Sequence, residues 1–245
     1  MPYNTRYRSL STSGYFPPGV KWLLITNVAL FLPYYLSADV RGHLLTVFSL
    51  VPEFVVKKFF IWQLATYLFL HEGIGHILFN MLALWMFGSV LERDWGTRFF
   101  LKYYFLCGIG AGLCDVFVNA VMGNLGATHT IGASGAIYGL LLAFGVLYPN
   151  QTVLFSFIFP MKAKYMVMIV GAIAFLSALG ANSNVSHIAH LGGMAFGYAY
   201  LRGRLLRLDL GYFRREYNAW KLRRAKKRFQ VYLRKHGSDR DTFVN

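Results

Sequence analysis

The chain has 245 residues, of which 56% are hydrophobic, 18% aromatic and only 14% charged. Soluble domains carry about 25% charged residues, so the composition excludes an ordinary water-soluble enzyme and predicts an all-α polytopic membrane protein. The formal net charge of +15 could point to nucleic acid, but 14 of the 25 Lys and Arg residues lie between Arg202 and Asn245, beyond the last apolar segment, where topology explains them more simply.

In chain order, residues 1–19 form a polar, Pro-containing lead-in with Arg6 and Arg8. Residues 20–204 form a membrane domain and residues 205–245 a basic tail. Hydropathy predicts six spans, Val20–Leu36, His71–Leu91, Phe99–Met122, Ser134–Tyr148, Tyr165–Gly180 and Val185–Leu201. The first has the basic flank of a signal peptide, but Pro33-Tyr34-Tyr35 is a poor small-residue cleavage site, so it is read as a span. Between the first two spans, Leu44–Phe60 is interrupted by Pro52, Lys57 and Lys58 and suits a segment lying at the interface. Lys and Arg assigned to alternate sides divide 22 against 3, placing both termini on the cytoplasmic side. The inner (plasma) membrane of the cell is the expected location. Cys107 and Cys114 lie seven apart, about 10 Å along a helix and beyond disulfide reach, and are read as packing residues.

The fourth span is too short to cross unaided. Helix over Ser134–Tyr148 covers about 22 Å of a hydrocarbon layer about 30 Å thick. Ser134 must therefore begin below the outer surface, after an irregular loop, Asn119 to Gly132, that has to line an enclosed or wet cavity. Small neighbours in Gly132-Ala133-Ser134-Gly135 let backbone amides approach, and a helix start directs N–H groups at developing negative charge. The same glycines, Gly135 with Gly139, also fit a simple helix contact. In the sixth span His190 shares a face with Gly193 and Gly197, which puts the imidazole on a packed side. It could serve as a base toward Ser134, or be satisfied by a neighbouring carbonyl.

In the second span, His71-Glu72-Gly73-Ile74-Gly75-His76 fails as a zinc motif. Its histidines are five apart, and zinc peptidases need imidazoles four apart on one face. His76 and Asn80 are four apart and direct an imidazole and an amide toward one point, the kind of donors an oxyanion requires. Glu72 is read as solvated. Asp115, inside the third span, is read as a buried hydrogen-bonding group that caps the outer loop.

His71 to Asn80, Gly132 to Gly135, and Ala189-His190-Leu191-Gly192-Gly193 with Gly197, on the second, fourth and sixth of six spans, closely resemble the bacterial-type rhomboid intramembrane serine proteases. The resemblance covers roughly Trp22 to Leu201. It implies a rhomboid-like six-helix bundle in which Ser134 is the nucleophile and His190 its base, with no acidic third member. It also implies that His76 and Asn80 join the Ser134 amide in an oxyanion hole, and that Tyr138 packs on the catalytic imidazole. Gly132, Gly135, Gly193 and Gly197 are supporting positions. The implied substrates are other membrane proteins, cut in or near the outer part of the bilayer, with no cofactor, metal or nucleic acid.

Two departures stand out. Gln63 follows Trp62 where the family often has arginine, which removes a cationic loop anchor. Asp94 stands where some members have arginine, so an ion pair with Glu92 would need Arg93 or Arg98. Two other classes remain: an inactive rhomboid-like binder, which typically lacks the serine or histidine, and a transporter, for which no repeat or matched pair of broken helices is present. The tail, with Phe213, Tyr217 and Trp220 at helical spacing among Lys and Arg, suits a helix on an anionic leaflet.

Overall fold

The computed structural model describes residues 16–126, 129–155, 159–179 and 186–236. The lead-in, apart from its last residues, therefore lies outside the described residues. The chain forms two units, one up to Tyr198 and one from Ala199 onward.

Helix α1 spans Pro18–Leu36, with Pro in its first turn, where a missing N–H costs nothing. The other first-turn amides are met by Glu92. Its carboxylate accepts from Gly19 N and Val20 N, both at 2.7 Å, and from Thr97 Oγ1 at 2.7 Å. Glu92 is 3% exposed. Among the described residues neither Arg93 nor Arg98 pairs with Glu92, and helix-end N–H groups supply its positive partner instead. Asp94 accepts a hydrogen bond from the Tyr148 hydroxyl. Glu92→Ala leaves two buried amides without acceptors and is expected to cost about 3 kcal/mol, read as a lowered unfolding midpoint in detergent. Glu92→Gln, which keeps one acceptor oxygen, should recover part of it.

Between α1 and the second apolar helix lie α2 (Ala38–Phe48), α3 (Pro52–Lys58), the short α4 (Gln63–Thr66) and a 3₁₀ turn, Tyr67–Phe69. Buried Gln63 joins them: its amide oxygen accepts from Val51 N at 3.1 Å, and its nitrogen donates to Thr46 O at 3.2 Å. A neutral amide thus holds this loop at the position where the family often has arginine.

Helix α5 (Ile74–Ala83) passes through a π-helical turn, Leu84–Gly88, into α6 (Ser89–Trp95), making one apolar helix of 22 residues. Gly96, at φ 77°, turns the chain into α7 (Thr97–Val121). Asn119 is helical, so the irregular loop starts later than expected. Helix α8 (Ser134–Leu147) is followed by a hairpin, β1 (Thr152–Phe155) against β2 (Phe159–Lys162), pairing Thr152 with Lys162 and Leu154 with Pro160. This hairpin occupies the connection between the fourth and fifth apolar segments. Helices α9 (Ala163–Leu179) and α10 (Ser186–His236) complete the described residues.

This is an all-α membrane bundle with its polarity inverted. Asn27, Gln63, His71 and Asp115 are fully buried, while Trp22, Leu36, Phe79, Phe117 and Leu176 are more than half exposed. Lipid favours that distribution, because outward apolar side chains meet hydrocarbon and polar groups find partners inside. Helix α8 lies in the middle, burying nine of its residues from Gly135 to Gly145.

Candidate active site

Ser134 is the first residue of α8, preceded by Ala133 and by Gly132 at φ 120°. Few side chains tolerate that backbone angle, and a Cβ on Gly132 would lie 2.7 Å from His76 Cε1 and Nε2. The glycine therefore lets the chain turn into α8 while the His76 imidazole sits against it. Gly132 N donates to Tyr67 O at 2.9 Å, fixing the turn to the 3₁₀ segment.

Helix α10 approaches α8 through glycine. A Cβ on Gly193 would fall 2.0 Å from Gly135 O, and one on Gly139 would meet Cys107 Sγ at 2.4 Å and Gly193 O at 3.2 Å. Gly197 similarly faces Tyr103 Oη and Cys107 Sγ of α7. Backbones this close bring side chains one turn away into contact. His190 Nε2 and Ser134 Oγ share a hydrogen bond of 2.7 Å. The His190 ring lies flat on Tyr138, with centroids 4.1 Å apart and planes 5° apart. Among the described residues none hydrogen-bonds His190 Nδ1, so ring stacking, with no carboxylate, sets the plane of the imidazole.

A cavity of about 180 Å³ opens at this pair, lined by Ser134, His190, His76, Gly132, Tyr67 and Thr130 among others. Asn80 does not line it. Its Nδ2 donates to His76 O at 2.8 Å, the i−4 carbonyl of its own helix. An amide nitrogen carries two hydrogens, so one N–H remains beyond that bond. His71 is fully buried with its ring edge-on to His76, centroids 5.1 Å apart, and Nε2 3.5 Å from Ala133 N. Glu72 is exposed.

Comparison with known proteins places this arrangement. Residues 58–206 match the Rhomboid domain, which is more than half of the chain. The chain belongs to the rhomboid family. RHOMBOID-like protein 1 of Arabidopsis thaliana is 34% identical over 165 residues, 67% of this chain and 40% of that protein. RHOMBOID-like protein 12, mitochondrial, of the same plant is 33% identical over 144 residues, 54% and 43% of the two chains. Rhomboid protease GluP of Bacillus subtilis is 33% identical over 137 residues, 56% and 25%. The chain thus spans less than half the length of these three relatives.

This rhomboid chain carries a further support that motif reading located only in part. Asp115, 0% exposed in α7, accepts from Thr130 Oγ1 at 3.0 Å and lies beside the Asn119 amide. Thr130 also exchanges both backbone hydrogen bonds with Leu50, each 2.9 Å. The approach to Ser134 is therefore held from α7 on one side and from the α2–α3 connection on the other. Thr130→Val leaves the buried carboxylate without its hydroxyl and is expected to cost about 2 kcal/mol of stability. Asp115→Asn, which keeps an acceptor oxygen toward Thr130, should cost less than Asp115→Ala in the same unfolding measurement.

Proposed function

We propose that this protein is an intramembrane serine endopeptidase, in which Ser134 attacks and His190 is its general base. The observation that carries the reading is the 2.7 Å bond between Ser134 Oγ and His190 Nε2, at the wall of a cavity and at the start of a helix. A serine hydroxyl is a poor nucleophile until a base takes its proton, and hydrogen-bond contact puts that base in place.

The substrates are membrane-spanning segments of other proteins. A helical carbonyl is shielded by its own hydrogen bond, so a substrate segment unwinds locally before it enters the cavity. Small and helix-weakening residues near the cut favour this step. Ser134 Oγ forms a bond to the carbonyl carbon as its proton passes to His190 Nε2. The negative charge that develops on the carbonyl oxygen is met by the Ser134 backbone N–H and by His76, with the helix N-terminus adding its dipole, and Asn80, outside the cavity lining as the structure stands, joins them when its amide turns from His76 O toward the bound substrate. His190 returns the proton to the leaving amine, and a water activated in the same way releases the acyl group. Tyr138 holds the imidazole plane through the cycle.

Residues 20–204 form the protease domain in this reading, and both termini lie on the cytoplasmic side of the cell's inner membrane, where Lys and Arg are retained. The test is reconstitution with a single-span substrate, comparing wild type with Ser134→Ala, each with and without a metal chelator. Cleavage by wild type alone, indifferent to chelator, supports the serine mechanism. Equal cleavage by Ser134→Ala removes it, and loss with chelator points to a metal.

A further inference from the structure

We propose that the segment of α10 from Tyr217 to His236 is a binding surface for anionic phospholipid on the membrane that holds the protein. This goes beyond the peptidase reading and does not depend on it.

Between Glu216 and Asp239 the chain has eight Lys and Arg residues and no acid, and six of those eight fall within Lys221–Arg228. The segment is helical to His236, so like charges three and four residues apart are neighbours: Lys221 with Arg224, and Arg224 with Lys227 and Arg228. Such pairs repel, and a helix built of them lacks the opposite-charge pairs that stabilise an exposed helix. Its own packing does not compensate, since every residue from Lys221 to Phe229 is exposed. A surface of negative charge offers Lys221, Arg224, Lys227 and Arg228 the opposite charge that no acid within one helical turn provides.

The aromatic residues specify which surface. Tyr217 is 60% and Trp220 48% exposed, and their rings stack with centroids 6.0 Å apart. The Arg224 guanidinium lies 5.0 Å from the Trp220 ring centroid. Tyr217, Trp220 and Arg224 are spaced three and four apart and share one helix face, with Lys221 and Arg228 beside it. Amphipathic rings next to cations match the layered chemistry of a phospholipid interface, where Trp and Tyr settle at headgroup level and Lys and Arg reach phosphate. About twenty residues join Leu201, in the last apolar segment, to Lys221, so the tail is tethered close to lipid and meets it at high effective concentration. Nucleic acid has no such advantage.

The test is hydrogen–deuterium exchange of the full-length protein in nanodiscs of phosphatidylcholine alone or with phosphatidylglycerol. Amides of residues 217–236 are expected to exchange at least ~10-fold more slowly in the anionic discs, with the difference removed by half-molar salt, which screens surface charge. The variant carrying Lys226→Glu, Lys227→Glu and Arg228→Glu should exchange in anionic discs as wild type does in neutral ones. Its α7 peptides serve as the folding control. Equal exchange in both discs, or slowing in neutral discs on addition of RNA, would overturn the proposal, the latter in favour of a nucleic-acid surface.

Discussion

Ser134→Ala, His190→Ala and the double variant are expected to lose peptide cleavage to a similar extent, at least ~10⁴-fold in kcat, because the two residues act as one unit. If each side chain contributed separately, the double variant would lose the product of the two effects. With the two joined by a 2.7 Å bond, neither contribution survives removal of the other partner, since an isolated hydroxyl has no base and an isolated imidazole nothing to activate. The unfolding midpoint of Ser134→Ala should barely move, whereas His190→Ala, which removes the ring stacked on Tyr138, should lower it by an amount corresponding to about 1 kcal/mol. Single-turnover cleavage in proteoliposomes measures the first quantity, and thermal unfolding of the same preparations measures the second. A double variant far weaker than either single would show that the residues are not a catalytic pair.

Gly193→Ala has the next largest expected effect, through geometry alone. The added carbon would lie 2.0 Å from Gly135 O and 2.8 Å from its carbonyl carbon, both backbone atoms with no rotamer to yield. Helices α8 and α10 must then separate by about 1 Å, and a misplacement of that size costs roughly 100-fold in rate. Overpacking should also cost about 3 kcal/mol of stability. Gly203→Ala, where an added carbon meets nothing within 4 Å, is the control. It should be neutral or stabilising by up to about 1 kcal/mol, the usual gain of alanine over glycine in a helix. Activity and unfolding measured on both variants decide whether the glycine stripe sets the distance between serine and histidine.

The parts of this molecule that were legible in the sequence are those whose signal is local. Ser134 and His190 were visible as rare polar groups in apolar stretches, and Gly193 and Gly197 marked the packed face of their helix. The first five apolar segments were placed by hydropathy with ends within a few residues of the helices now seen, whereas the sixth, expected to end at Leu201, lies in a helix that runs on to His236. Tyr138 was reached only through family resemblance, because a tyrosine one turn after a serine has no distinctive spacing.

What stayed hidden depends on partners far apart in sequence. Glu92 caps α1 from 72 and 73 residues away, and no pattern around Leu91 or Arg93 announces it. Thr130 is paired with Leu50 by a single isolated bridge too short to leave alternation. Asn80 shares a face with His76 as spacing required, yet its amide bonds to the preceding turn, a choice between local partners that periodicity does not resolve. Glu72 is exposed, in keeping with its reading as solvated, but nothing in the sequence distinguishes its neighbour His71, which the same turn of the chain buries completely. Gln63 departs from the family pattern but holds the same loop by hydrogen bonds instead of charge.

The most direct test of the central claim is covalent labelling by a fluorophosphonate, with the modified residue located by mass spectrometry. If Ser134 is activated by His190, the wild-type protein will carry the phosphonyl group on Ser134 Oγ, and His190→Ala will label at a rate no faster than an ordinary serine. Labelling of Ser134 that proceeds undiminished without His190, or a folded wild-type protein that does not label there at all, would contradict the account.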